Sequence, residues 1–95
     1  MNTIVVRNFG TIISDETLGQ RIYAEIKDLY SKNGSVIVDM QDVVTMATFC
    51  SKQIFGNLCV ELGENEFFDK VTIKNATEQV KTSIRLGVLY ALQDK

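Results

Sequence analysis

The sequence predicts an α/β fold: a small layered domain whose three- to four-stranded sheet, largely parallel or mixed, packs with three helices in the order β-α-β-α-β-α. Residues 36–38 are β-branched without polar alternation, which is typical of a strand covered on both faces. Apolar residues four positions apart follow at Cys50, Ile54 and Leu58, the spacing of one helical face. Short connections between alternating strands and helices favour parallel pairing.

The N-terminal part is predicted to contain a strand and the first helix. Residues 3–7 form a short β-rich run, and residues 11–13 are a brief candidate second strand. Ser14 is predicted to cap the helix, with acids in the first turn, where the macrodipole favours negative charge. Gly34 ends the helix because glycine adopts positive φ without steric cost. The apolar face of this helix comprises Leu18, Ile22, Ile26 and Leu29.

The central part supplies the apolar strand and the second helix. The strand covers residues 35–40, a loop covers residues 41–47, and the helix runs over residues 48–62. Few charges interrupt this helix, so we expect it to be covered on more than one side.

The C-terminal part begins with an acidic loop at residues 64–66, which Phe67 and Phe68 are predicted to anchor to the core. Residues 71–74 form the last strand. Thr77 caps the last helix by its hydroxyl. The buried face of that helix is predicted to comprise Val80, Ile84, Val88 and either Ala91 or Leu92.

Composition and charge exclude several classes of protein. The 95 residues make a single domain over residues 1–95, and 45% hydrophobic with 23% charged residues indicates a globular chain. A net charge of -2 and a pI of about 5.0 argue against binding nucleic acid or anionic lipid. No apolar run approaches the ~20 residues of a transmembrane helix, and the first residues lack a signal-peptide pattern. We therefore expect a cytoplasmic protein.

Catalytic chemistry is not expected. The chain has no histidine, which removes the commonest general base and zinc ligand. Cys50 and Cys59 match no metal motif and are expected to be buried and reduced; a reactive Cys50 thiolate is the less favoured alternative. Asp39 and Asp42 could form an acidic pair. Their residue type favours separate roles, in which Asp39 accepts hydrogen bonds from backbone N–H groups of the following loop and Asp42 initiates its turn. We expect no catalytic residue, no metal site and no cofactor.

The loop before the second helix carries two hydroxyls, Thr45 and Thr48. In open α/β sheets, ligand and partner sites lie beyond the carboxyl ends of strands. A hydroxyl at a helix start has two interpretations: it caps the helix, which residue type favours, or it carries a phosphoryl group stabilised by the free N–H groups. Lys52 is the only cation between residues 39 and 56, which disfavours a nucleotide or anion pocket.

The order of residues around this loop is distinctive. An apolar strand ends in Val38-Asp39-Met40, and Asp42-Val43, Thr45-Met46 and Thr48 follow. This order resembles the STAS domain of bacterial anti-sigma-factor antagonists and, more closely, the small STAS-like family of unknown function found in bacteria and mobile elements. The similarity extends to Phe9-Gly10, Ser14-Asp15, Gly19, Phe55-Gly56, Val71 to Asn75 and Val80-Lys81.

The resemblance implies a STAS-like fold and a partner switch. In those regulators a phosphorylatable serine lies nine residues after the aspartate of the strand, which is the position of Thr48 here. Ala47 replaces the aspartate that usually precedes it, and Phe49-Cys50 replaces a small Ser-Gly pair. The implied partner is a serine/threonine kinase of the histidine-kinase-like ATPase type. The implied partner-binding surface comprises Asp39, Asp42, Thr45, Met46, Ala47, Phe49 and Lys52.

We therefore predict a non-catalytic, regulatory protein-interaction module with Thr48 as its phosphoacceptor. The alternative is a constitutive structural subunit that self-associates as a homodimer through its second or third helix. In that alternative Thr48 is only a cap.

Overall fold

Residues 2–94, which the computed structural model describes, form five short strands and five α-helices. A 3₁₀ turn at Val6–Phe9 follows the first strand, and a π-helical turn at Lys52–Gly56 joins two helices. The strands are β1 (Thr3–Val5), β2 (Ile12–Ile13), β3 (Val36–Asp39), β4 (Thr45–Met46) and β5 (Val71–Lys74), and the helices are α1 (Glu16–Asn33), α2 (Thr48–Ser51), α3 (Asn57–Leu62), α4 (Glu64–Lys70) and α5 (Glu78–Asp94).

Strand β3 is the centre of a three-stranded parallel sheet. β1 pairs with it on one side and β5 on the other, which gives the order β1-β3-β5. Val36 and Val38 lie on one face of β3 and are buried in the core. Ile37 and Asp39 on the opposite face are only partly buried, and their strand partners Thr3, Thr72 and Lys74 are exposed. The prediction that both faces of this strand are covered is therefore wrong. The apolar central strand and the parallel pairing agree with the prediction for residues 35–40.

The other two strands form a separate parallel ladder. Ile12 pairs with Thr45 and Ile13 with Met46. The prediction of a small, largely parallel sheet is confirmed, but β2 and β4 lie in this second ladder and do not join the central sheet. The predicted loop over residues 41–47 likewise contains β4, which is too short to show a period in the sequence.

The number of helices also exceeds the three predicted. The helix expected over residues 48–62 is present as a continuous rod of α2, the π turn and α3, which we call the α2–α3 rod. The predicted acidic loop is instead α4, because Glu64 and Glu66 lie in its first turn, where the macrodipole stabilises negative charge. Phe67 anchors α4 in the core as predicted, whereas Phe68 is exposed.

The ends of α1 and the start of α5 follow the predicted residue types except at the N-terminus of α1. Gly34 ends α1 in the left-handed region at φ 75°. The Thr77 hydroxyl accepts a hydrogen bond from a backbone N–H in the first turn of α5 at 3.2 Å. Helix α1 is capped by Asp15, whose carboxylate accepts the Thr17 N–H at 3.2 Å, and not by Ser14. A charged acceptor makes the stronger hydrogen bond.

Helix α5 closes the core by packing on the α2–α3 rod. A Cβ atom on Gly87 would lie 2.5 Å from the Lys52 nitrogen and 2.6 Å from the Ser51 carbonyl carbon. A Cβ atom on Gly56 would lie 2.8 Å from the Gly87 oxygen. The two backbones therefore approach closely at the glycines, where the small side chains of Ser51 and Ala91 lie beside them. The apolar face of α5 is buried as predicted at Val80, Ile84, Val88 and Ala91.

Both cysteines, Cys50 and Cys59, are buried thiols, as predicted. Across residues 2–94, none of the helices is both long enough and apolar enough to cross a membrane.

Replacement of Gly87 by alanine is expected to lower the free energy of unfolding by about 2 kcal/mol or more, because the methyl group would meet backbone atoms of the rod. Gly19→Ala is the matched control, since its Cβ would meet the end of the flexible Gln53 side chain and alanine favours a helix by up to about 1 kcal/mol. Urea unfolding of both variants measures the difference. Equal stabilities would contradict the backbone contact.

Candidate functional site

The carboxylate of Asp39 lies at the carboxyl end of β3 and orders the loop that follows. Its Oδ1 accepts hydrogen bonds from the Asn75 side-chain amide and the Gln41 backbone N–H, both at 3.0 Å. These hydrogen bonds stabilise the ionised carboxylate and lower the pKa of Asp39, and the bond from Asn75 has the larger effect. The predicted role of Asp39 as acceptor for the loop is confirmed, and Asn75 connects this loop to the end of β5.

Asp42 has a different partner. Its backbone is left-handed at φ 66°, a conformation typical of turns. Its carboxylate forms an ion pair with Arg7 at 2.6 Å, and both side chains are more than half exposed. Such a pair contributes at most about 1 kcal/mol. Asp39 and Asp42 thus make two separate connections and are not an acidic pair.

The β2–β4 ladder fixes the segment before α2. The Ala47 N–H donates a hydrogen bond to the Ile13 carbonyl at 2.8 Å, which continues the ladder to the start of the helix. Alternation along β4 leaves Thr45 partly exposed and buries Met46. Met46 is therefore a core residue, and the predicted partner-binding surface loses it.

Two buried serines tie this segment to α5. The Ser83 hydroxyl donates to the Met46 carbonyl at 2.6 Å, and the Ser51 and Ser83 hydroxyls lie 2.8 Å apart. Because Ser83 has one hydroxyl proton, Ser51 is the donor in the second bond. Sequence reasoning missed this chain, although Ser83 lies on the apolar face of α5 between Val80 and Gly87, where a polar group needs a partner.

Thr48 is the first residue of α2 but does not cap it. The N-cap is Ala47, with an extended backbone and no side-chain hydrogen bond to the first turn. Within residues 2–94 the Thr48 hydroxyl makes no hydrogen bond, and the residue is partly buried. The capping interpretation is therefore wrong.

The two other predicted surface residues of this helical segment differ in their surroundings. Phe49 extends into solvent, and more than half of its surface is exposed. Lys52 forms an ion pair with Asp94 near the end of α5. The ammonium group of Lys52 is therefore engaged with that helix and not with the carboxylates after β3.

Three large apolar side chains are exposed where β2, β4 and α2 meet. Ile12 is 58% exposed, Val44 60% and Phe49 53%. Ile12 pairs with Thr45 across the ladder, and the Val44 N–H donates to the Thr11 carbonyl at 2.8 Å. Prediction from sequence had not included Ile12 or Val44. We call this surface the β2–β4 corner, and it comprises Ile12, Val44, Thr45, Thr48 and Phe49.

The alternative of a reactive Cys50 is not supported. Burial, and then the charge of Asp15, raises the pKa of the Cys50 thiol. Its Sγ lies 3.6 Å from the Asp15 carbonyl oxygen. A neutral, buried thiol is a poor nucleophile. The described part of the chain also holds no group of three or more Cys, Asp or Glu side chains arranged to bind a metal ion.

The arrangement of β3, the β2–β4 corner and β5 can now be compared with known proteins. A family profile described as a STAS-like domain of unknown function (DUF4325) matches residues 19–81, about two thirds of the chain. The chain belongs to this family. The matched part of the STAS-like domain includes all of β3, β4 and β5. No curated protein and no solved structure matches the chain.

Acidification is expected to remove the contribution of Asp39 to stability. The pKa of Asp39 in the folded state lies below the unfolded value of about 3.9. Its contribution to the free energy of unfolding is therefore fully present above the unfolded pKa and is lost as the pH falls through the folded pKa. The free energy of unfolding of Asp39→Asn should therefore fall less than that of wild type between about pH 6 and pH 2. Parallel curves would contradict this role.

Ser83→Ala is expected to destabilise the STAS-like domain by about 1–3 kcal/mol, because the Met46 carbonyl and the Ser51 hydroxyl both lose a buried partner. Hydrogen exchange of the Ala47 backbone amide should be faster in Ser83→Ala than in wild type. Thr82→Ala is the control, since it removes an exposed hydroxyl from the same helix. If the two variants unfold at the same urea concentration, the serine chain does not stabilise the segment.

Proposed function

We propose that this STAS-like domain is a non-catalytic regulatory module that docks to a protein partner through the β2–β4 corner, under the control of phosphorylation at Thr48. The supporting observation is the exposure of Ile12, Val44 and Phe49 around a threonine whose hydroxyl is unused within residues 2–94. Large apolar side chains exposed on a surface are typical anchors of protein contacts.

The corner is also held in place before any partner arrives. Hydrogen bonds from Ala47 to Ile13 and from Ser83 to Met46 fix the strand and the helix start from opposite sides. A surface that is ordered in advance loses less conformational entropy on binding than a mobile loop. Rigid support therefore favours docking at this corner.

Phosphorylation is proposed to weaken docking. A kinase would transfer the γ-phosphoryl group of ATP to the Thr48 Oγ1, which loses its proton, and ADP is released. The product carries about 1.5 to 2 negative charges beside the apolar Phe49. Lys52 lies one helical turn after Thr48 but forms an exposed ion pair with Asp94. The N–H groups of the helix start would offset part of the added charge, yet docking would still have to remove a doubly charged group from water, which costs free energy.

The family resemblance supports the nature of the partner: a serine/threonine kinase of the histidine-kinase-like ATPase type, which would meet this domain in the cytoplasm where ATP is available. Phe49-Cys50 stands where the regulators have a small pair. Phe49 points outward and Cys50 inward. Phe49 therefore enlarges the docking surface. Cys50 is buried and does not cover Thr48.

The test is photocrosslinking in cells of the source organism, with benzoylphenylalanine in place of Phe49. The expected result is a discrete crosslinked protein that is absent when the same group replaces Tyr90, an exposed aromatic of α5. Combined with Thr48→Asp, the crosslink should fall at least about tenfold, because a charge disrupts an apolar contact. Combined with Thr48→Ala, it should persist.

Intact-mass measurement of the wild-type domain from the same cells should show a phosphorylated fraction that Thr48→Ala lacks. Equal crosslinking from positions 49 and 90 would overturn the docking surface. Equal crosslinking in the aspartate and alanine backgrounds, with no phosphate on the wild type, would remove the switch and leave docking intact.

A further inference from the structure

A second apolar surface lies away from the β2–β4 corner. Helix α4, the edge strand β5 and helix α5 enclose a groove of about 390 Å³. Phe68 is 68% exposed and Leu89 47%, and both line this groove at its rim. The remaining apolar lining comprises Phe67, Val71, Ile73, Ile84, Val88 and Leu92.

The charged residues that line the groove are both cations, and an acidic residue lies on α4 outside the lining. Lys81 and Arg85 of α5 line the groove, and they lie one turn apart on the same helical face as Leu89. On α4, Glu64 lies one turn before Phe68 on the same face. Within residues 2–94, neither Arg85 nor Glu64 has a hydrogen-bond or ion-pair partner. An unpaired cation and an unpaired anion thus flank one apolar groove.

We propose that this face joins two copies of the chain in a two-fold symmetric homodimer. In a two-fold symmetric dimer both copies use the same surface. If one residue of the first copy contacts a second residue of the other copy, the reverse contact also forms, so the surface must complement itself. Phe68 of each copy enters the groove of the other, and Glu64 of each copy faces Arg85 of the other. Rotation about an axis through the groove brings the acidic side of one copy onto the basic side of the second.

A second copy satisfies this surface better than other occupants. An amphipathic anion such as a fatty acid would pair with Lys81 and Arg85 but would leave Glu64 unpaired beside it. It would also leave the exposed ring of Phe68 largely in water. A second copy supplies both charges and both parts of the apolar contact. The dimer does not depend on Thr48, because the groove shares no residue with the β2–β4 corner.

The first test is the mass in solution, measured by sedimentation equilibrium over a range of concentrations. The expected result is a monomer–dimer equilibrium based on the chain mass of 10.7 kDa. Phe68→Asp should weaken dimerisation at least about thirtyfold, as for a central aromatic anchor. Tyr90→Asp should not, since Tyr90 is an exposed aromatic of α5 outside the groove. Both sites are exposed, so thermal unfolding should show folded variants.

A charge exchange tests the symmetry itself. Arg85→Glu sets two glutamates against each other in its homodimer, and Glu64→Lys sets a lysine against an arginine. Each variant alone should dimerise at least about tenfold more weakly than wild type. An equimolar mixture should recover the wild-type affinity, because both contacts of the mixed dimer are again between opposite charges.

A wild-type chain that stays monomeric up to about 1 mM, where even weak dimers form, would overturn the proposal. So would a mixture that fails to recover. If the monomeric chain instead binds laurate saturably and Arg85→Glu abolishes that binding, the groove is a site for an amphipathic anion and the dimer is excluded.

Discussion

The structure depends on the direct contact between the backbones of α5 and the π turn. At Gly87 and Gly56 the backbones of the two helices come within reach of each other, and a Cβ atom at either position would lie less than 3 Å from backbone atoms of the other helix. At this separation the short side chain of Ser83 reaches both the Ser51 hydroxyl and the Met46 carbonyl. A wider gap would break these buried hydrogen bonds. The packing of one helix pair therefore fixes β4 and the first turn of α2, and with them the β2–β4 corner.

The longer elements could be predicted from the sequence because their signals accumulate over many residues. The β-branched run indicated β3, and four-residue spacing indicated α1, α5 and the α2–α3 rod. Gly34 and Thr77 marked helix ends through local chemistry. Two-residue strands have no measurable period. The pairing of Arg7 with Asp42 joins positions 35 residues apart and depends on tertiary packing that no local pattern encodes.

The candidate site illustrates the same limit. The β2–β4 ladder separates core from surface: Ile13 and Met46 face inward, whereas Ile12 and Thr45 face outward. Register decides which residue of a strand is buried, and residue type does not. For this reason Met46 was predicted on the surface and Ile12 was not. Lys52 was assigned to the same surface because its position near Thr48 is visible in the sequence, while its partner on α5 is not.

Helix α5 begins at Glu78, so a ribosome synthesises it after every other element of the STAS-like domain. Until α5 packs, the Met46 carbonyl lacks its donor and the glycine-lined side of the rod is open to water. Nascent chains that have not yet released this helix therefore hold the corner by the β2–β4 ladder alone. The buried hydrogen bonds of Ser83 form only after α5 has left the ribosome and packed on the rod.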